Sequence, residues 1–289
     1  MKILIAGCGY LGKTLGKNLA ESGVVVWGLR RDPLALKALE MVGIKPFSAD
    51  LSKPESLARL PEADYAILCQ APSKSTDDYR KTYYEATRNL IEAFHLKKPK
   101  KIVMVSSTSV YGTRDGVWVD EETRPDDAGY LSKEAEARAK ILLETEDLVL
   151  SGLIPSVVFR LGGLYGPKRN RLKAIKEGKI KLSFSDLYTN RIHVDDAVSG
   201  IRLLLEKGRP REIYLGVDDE PSTEDQFYSW ICEALSMPKP PDGGKAGEND
   251  RASNKRCSNK KIKQLGMKLK YPTFREGYSG LLAEVGIRR

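Results

Sequence analysis

The sequence predicts an α/β protein: a doubly wound parallel sheet followed by a second, smaller C-terminal lobe. Three observations predict it. Through the first two thirds of the 289 residues, short β-branched runs alternate with amphipathic helical segments, the pattern of a parallel sheet covered on both faces. A G-x-G-x-x-G run, GCGYLG at 7–12, follows the first of these strands directly and opens the first helix. With 41% hydrophobic residues, a chain of this length buries a full core.

In order, strands are expected near Lys2 to Ala6, Val24 to Leu29, Lys45 to Ser48, Tyr65 to Cys69, Ile102 to Ser106 and Ser156 to Leu161. Helices are expected between them near Leu11 to Ser22, Pro33 to Val42, Pro54 to Arg59, Asp77 to Leu96 and Leu131 to Glu146. Further on come a strand at Arg191 to Val194, a helix at Asp196 to Lys207, a strand at Glu212 to Gly216 and a helix at Thr223 to Leu235. Asp195 and Asp196 precede the apolar run AVSGIRLLL as an N-cap pair, and His193 is expected in a strand, hydrogen-bonded to backbone. PKPPDGGKAGENDRASN at 238–254 is a surface loop by composition, and short helices near Asn259 to Leu265 and Phe274 to Val285 end the chain. The expected division is a dinucleotide-binding domain of residues 1–166 with 190–217, and a smaller lobe of 167–189 with 218–289. Phe184, Tyr188, Phe227, Tyr228 and Trp230 either line a pocket of that lobe or form its core.

The net charge is +9, concentrated in runs such as LKKPKK (96–101) and NKRCSNKKIK (254–263). Such runs are ordinarily solvated faces. The interleaved aromatics of a nucleic-acid surface are missing, so no nucleic acid is expected as a partner, whereas a basic cleft for a phosphate-bearing small ligand accounts for the charge. The opening MKILIAG leaves no room for a secretory leader, and no window reaches the ~18 apolar residues of a membrane span, so neither membrane nor export is expected and the cytoplasm is the expected compartment. Cys8, Cys69, Cys232 and Cys257 lack metal or disulfide spacing, and with only His95 and His193 beside them no metal site is expected.

The glycine run carries the ligand prediction. Gly7 makes the tight turn, Gly9 lets a pyrophosphate approach the backbone, and Gly12 lets helix and strand pack; the amides of Tyr10 and Leu11 begin a helix facing the phosphates. About 20 residues on, an NAD site presents a carboxylate to the ribose; here the segment is GLRRDP. Arg30 and Arg31 stand where a 2′-phosphate would lie, which makes NADP the expected cofactor and NAD the alternative, with Asp32 then taking the ribose. Asp50 and Leu51, after the third strand, meet either the adenine edge or the role of a simple cap. Cys8, at a helix N-terminus, is either a thiol of lowered pKa or a small residue filling a loop position.

Beyond this loop, YYEATRNLIEAF (83–94), VSSTSVYG (105–112), FRLGGLYGP (159–167), RIHVDDA (191–197) and NKRCSNKKIKQLG together resemble, in order along the chain, the extended short-chain dehydrogenase/reductases, the nucleotide-sugar epimerase and dehydratase group, in an atypical branch. The resemblance implies a Rossmann-type cofactor domain and an NADP-dependent oxidoreductase or epimerase acting on a hydroxyl or carbonyl carbon of a small-molecule substrate, a sugar or sugar nucleotide. It implies that Ser107, with Thr108, holds the substrate oxygen, and that Ser106, Gln70, Ala71 and Gly163 line the ribose and nicotinamide. Asn89 supports the strand bearing the serine, Tyr165 lies in the turn beneath the nicotinamide, and Arg169 and Arg191 face a diphosphate. The helices at 77–96 and 131–146 are candidates for packing in a homodimer.

In such sites a tyrosine moves the hydroxyl proton while a lysine cation favours the phenolate. GYLSKEAEAR (129–138) supplies Tyr130 and Lys133, but three residues apart where the resemblance implies four, with Glu134 at the fourth place. On a helix, i+3 and i+4 neighbours point about 100° apart. Three readings stay open: Tyr130 acting with Lys133 in an adjusted register, another acid/base such as Tyr111 or Tyr165, or a cofactor-binding redox-sensing or regulatory protein without turnover.

Overall fold

The β-branched runs form strands because they are apolar on both faces: all six residues of the run at 156–161 are buried, as are four of five in the first. The computed structural model describes residues 1–72, 76–95, 97–112, 114–125, 129–130, 132–180, 182, 186–241 and 254–284. Phe184, Leu131, Leu96, Val285 and most of the 238–254 loop lie outside the described residues. In chain order the strands are β1 (Lys2–Ala6), β2 (Val25–Arg30), β3 (Lys45–Ser48), β4 (Tyr65–Leu68), β5 (Lys101–Ser107), β6 (Trp118–Val119), β7 (Ser156–Leu161), β8 (Gly163–Tyr165), β9 (Tyr188–Thr189), β10 (Arg191–His193), β11 (Glu212–Gly216), β12 (Ser222–Thr223) and β13 (Arg256–Cys257). The helices are α1 (Tyr10–Glu21), α2 (Pro33–Glu40), α3 (Thr76–Tyr79), α4 (Ala86–Ala93), α5 (Lys133–Leu150), α6 (Leu172–Lys176), α7 (Val194–Lys207), α8 (Glu224–Ala234), α9 (Lys260–Gln264) and α10 (Phe274–Glu284).

Seven strands form one sheet in the order β3-β2-β1-β4-β5-β7-β11. The registers β1/β2, β2/β3, β1/β4 and β4/β5 are parallel. This is the doubly wound order the sequence predicts. The chain reverses its winding between β1 and β4, and beyond the carboxyl ends of such strands a doubly wound sheet leaves its ligand crevice. Leu4, Ala6, Leu29, Leu68, Met104 and Val158 on the sheet pack with Leu90 and Phe94. Local caps that the sequence reading did not single out start two helices: Asp32 accepts from the Leu34 and Ala35 amides at 3.2 and 3.1 Å with Pro33 in the first turn, and Thr223 with Gln226 closes a capping box.

The expected helix at Asp77 to Leu96 runs unbroken through α3 and α4, with π-helical hydrogen bonding over Arg80–Glu85 between them. In α4, Ala86, Thr87, Asn89 and Leu90 form its buried face.

The chain divides into two compact units. One comprises Met1–Ser107, Ala137–Arg160 and Val198–Tyr214; the other comprises Thr108–Glu136, Leu161–Ala197 and Leu215–Arg289. The second thus takes in 161–166, 190–197, 215–217 and, the longest stretch, 108–136, which the sequence reading assigns to the cofactor domain. A physical reason is visible: β6 in that stretch pairs with β13 near the C-terminus, Arg256 with Trp118 and Cys257 with Val119. Its core is aromatic, with Phe227, Phe274 and Tyr278 packed edge to face at 5.1–5.2 Å between centroids. Asp195 and Asp196 lie inside the first turn of α7 rather than ahead of it: Asp196 accepts from the Lys270 and Tyr271 amides and Asp195 pairs with Lys270, so they anchor that later segment.

Candidate active site

In the first unit, the turn after β1 is a glycine site by necessity. Gly7 has φ +74°, and a Cβ there would stand 2.4 Å from both N and Cα of Gln70. The loop can therefore lie against the end of β4 only without a side chain. At Gly9 a Cβ would meet the Arg30 Nη1 at 3.4 Å, so that guanidinium lies beside the loop. Tyr10 and Leu11 open α1, and at Gly12 a Cβ would stand 3.0 Å from Ile5 Cγ2, the close packing of helix on strand that the motif predicts. Gln70 is 8% exposed; its Nε2 donates to Thr87 Oγ1 at 2.8 Å, and among the described residues its Oε1 has no hydrogen-bond partner. An orphaned buried acceptor beside a side-chain-free loop at the start of a long helix fits the dinucleotide the motif calls for. Ala71, next along, is exposed.

The neighbouring residues sort differently. Arg31 is exposed and lies 4.0 Å from Asp50. Asp50 accepts from the Ser52 amide and hydroxyl and so shapes its own turn. Burial would raise its carboxyl, but the Ser52 bonds and the Arg31 charge outweigh that and hold it below the usual range. The Leu51 carbonyl accepts from Asn89 Nδ2 at 2.9 Å, so Asn89 braces the loop after β3 rather than the serine strand. Asp32 is engaged as the cap of α2. Burial pushes the Cys8 thiol up to about 12, against Arg30 and Lys13, so Cys8 is a filler and not a reactive thiol.

The Ser106 hydroxyl donates to Glu146 Oε1 at 2.5 Å, inside a buried network in which Arg160 Nη2 meets Glu146 Oε2 at 2.6 Å. Its proton is thereby engaged within the core. What the network does is fix the end of β5, where Ser107 is the last residue.

In the second unit, Thr108 opens a 3₁₀ turn over Thr108–Tyr111. Tyr130, half-buried, donates its phenol proton to the Val110 carbonyl at 2.7 Å. Lys133 is the exposed first residue of α5. The Tyr111 side chain is fully buried. Tyr165 is also enclosed: it stacks on Tyr278 at 5.0 Å, burial raises its phenol, and a Cβ on Gly277 would stand 2.1 Å from its hydroxyl. Both rings are buried. Gly163 is exposed, its amide bonded to the Asn190 carbonyl at 2.8 Å. Arg169 is exposed, with Nε on the Leu164 carbonyl at 3.1 Å. Arg191 is no solvated anion clamp: its guanidinium lies 4.0 Å from the Phe227 centroid and donates to Ser222 Oγ at 2.7 Å. Burial holds its pKa down, opposed by the carboxylate of Asp218, which is 2% exposed. His193 accepts at Nδ1 from the Asp195 amide at 3.2 Å, the backbone bond expected of it. Phe227 and Tyr228 are core, and Trp230 packs on Phe274.

Residues 3–216 match the model of the NAD dependent epimerase/dehydratase family. The chain belongs to that family. It is 26% identical over 283 residues to Protein YeeZ of Escherichia coli (strain K12), an alignment covering 94% of this chain and 96% of that one. Among solved structures, a putative NAD-dependent epimerase/dehydratase from Methylobacillus flagellatus is 30% identical, with a TM-score of 0.78 and coverage of 99% of this chain and 98% of that one. DesIV of Streptomyces venezuelae, a dTDP-glucose 4,6-dehydratase solved with NAD bound, is 18% identical, with a TM-score of 0.81 and coverage of 98% and 96%. At that identity the likeness is one of fold. Among the described residues, no helix is long and apolar enough to cross a membrane.

Proposed function

We propose that the chain is an NAD(P)-dependent oxidoreductase or epimerase that acts on a hydroxyl or carbonyl carbon of a sugar or sugar nucleotide, with NADP the preferred form. The observation that carries it is the cradle of Gly7, Gly9 and the unpartnered Gln70 Oε1, with Arg30 beside it. The cofactor supplies hydride exchange. The Gly7–Gly12 loop and the N-terminus of α1 bind the diphosphate, and Arg30 with Arg31 binds the 2′-phosphate. Ser107 holds the substrate oxygen by its hydroxyl. Tyr130 moves the proton at its phenol oxygen.

A second reading has its own support. With Tyr130 held on Val110 and Lys133 exposed, the pair also suits a redox-sensing or regulatory protein that binds NADP without turnover. One experiment separates them. Purified protein is mixed with NADPH or NADP and a panel of sugars, nucleotide sugars and their keto forms, and nicotinamide absorbance is followed. Turnover that falls at least ~100-fold in Tyr130→Phe supports the enzyme and its acid. Turnover untouched by that substitution removes Tyr130 from the mechanism, and tight NADP binding with no turnover supports the regulator.

A further inference from the structure

The turn that follows Ser107 is held at three successive carbonyls by side chains, one local and two from elsewhere in the chain. Val110 O accepts from Tyr130 Oη at 2.7 Å, Tyr111 O from Arg114 Nε at 3.2 Å, and Gly112 O from Lys255 Nζ at 2.9 Å. The carbonyl end of a short helical turn carries partial negative charge, so cationic donors suit it. Lys255 is the unusual member, being 1% exposed. Its backbone is pinned on both sides by one residue: Asn190 Nδ2 donates to the Lys255 carbonyl at 3.0 Å and Asn190 Oδ1 accepts from the Cys257 amide at 2.7 Å. Around it the strap 254–258 is stitched to the chain after the turn: the Arg114 and Gly116 amides donate to Asn254 O, and the Arg256 and Ser258 amides to Val117 O and Val119 O. A buried ammonium is costly, and a single carbonyl offsets only part of that. Burial pulls its pKa down to about 8, with the Cys257 thiol opposing and the Arg114 cation adding to the shift.

We propose that Lys255 is a positioning residue: through the Gly112 carbonyl it fixes the 3₁₀ turn that carries Thr108 and, one residue upstream, the Ser107 hydroxyl. It acts through the backbone and touches no substrate. Only the kinetic part of the proposal rests on the reading of the chain as an enzyme.

The test compares wild type, Lys255→Met and Lys255→Arg by hydrogen exchange resolved by peptide. In Lys255→Met, exchange of the amides in 108–117 rises at least ~10-fold while the cofactor-loop amides of 3–20 keep their rates, and Lys255→Arg restores the turn. Where turnover is measurable, kcat falls ~10-fold or more in the Met variant with KM for the nicotinamide cofactor unchanged, and the Arg variant recovers it. Should the Met variant not fold, the wild type decides the matter: with intrinsic base catalysis divided out, protection of 108–117 relative to 3–20 rises between pH 7 and 9.5, because opening the turn hydrates Lys255 and lets it take up a proton. A turn unchanged in the Met variant, a rise equal across both regions, failure of Arg to rescue, or a flat pH ratio overturns the proposal. A failed enzyme reading shows itself separately, as absence of turnover in the wild type with the exchange result intact.

Discussion

Cutting the pair beneath Ser107 tests whether the end of β5 is held by charge. Glu146 and Arg160 are both almost fully buried, Arg160 reaching both carboxylate oxygens at 2.6–3.1 Å, with Ser106 donating to Oε1. Glu146→Gln leaves the Arg160 cation enclosed without its counter-charge, which costs about 3–5 kcal/mol. Arg160→Met strands the carboxylate at a similar cost. The double substitution Glu146→Leu with Arg160→Met removes both charges and fills the space with apolar atoms, so it falls within about 1 kcal/mol of wild type after the Ser106 bond, worth ~1 kcal/mol, is lost. In urea, with a slope of ~2 kcal/mol per molar, each single variant moves the midpoint of the far-ultraviolet circular-dichroism transition down by ~2 M, and the double variant by less than ~0.5 M. Strong non-additivity is the signature. Single variants costing under ~1 kcal/mol, or a double variant equal to the sum of the singles, would refute the view that a buried ion pair sets this corner of the fold.

Two further outcomes follow from the same charges. Arg30→Ala with Arg31→Ala weakens NADP binding at least ~10-fold by calorimetry while NAD changes by less than ~3-fold, since only the former loses charge-assisted bonds to a phosphate; equal losses remove the 2′-phosphate assignment. Lys255 gives a pH effect of defined sign: its folded pKa, about 8, lies below the unfolded ~10.4, so between those values the unfolded chain binds more protons and stability rises with pH, by up to about 3 kcal/mol from this group. The difference in unfolding free energy between wild type and Lys255→Met therefore changes over pH 8 to 10.5, and a difference constant across that window denies the buried cation.

Regular structure was legible wherever it is written in local periodicity. The seven sheet strands were placed to within a residue or so, because each is an apolar run with its own turn signals, and α2 and α8 begin at or within one residue of the expected starts, Pro33 and Thr223. The unit boundary was not legible, because it depends on β6 finding β13 across more than a hundred residues, and two-residue strands leave no periodic trace. The π segment at Arg80–Glu85 escaped for a related reason: an extra residue in a helical turn does not break amphipathic spacing strongly enough to be seen.

The site divides along the same line. Gly7, Gly9 and Gly12 were readable because steric need is local, and the structure supplies that need in the Gln70 backbone. Ser106, Tyr165 and Arg191 match motif positions, but their burial partners, Glu146, Tyr278 and Phe227, come from distant helices and commit each of them to packing. Charge runs conceal the sharpest case. Within NKRCSNKKIK, Lys260 and Lys261 are outside the core while Lys255 is inside it, although all three sit in the same basic string. Nothing local distinguishes them; the difference is made by Asn190, sixty-five residues earlier, which grips the Lys255 backbone and turns its ammonium toward Gly112. The three-residue spacing in GYLSKEAEAR becomes intelligible in the same terms. Tyr130 donates to the Val110 carbonyl, twenty residues before it, and lies ahead of the helix that begins at Lys133, so a four-residue helical spacing does not apply to the pair directly.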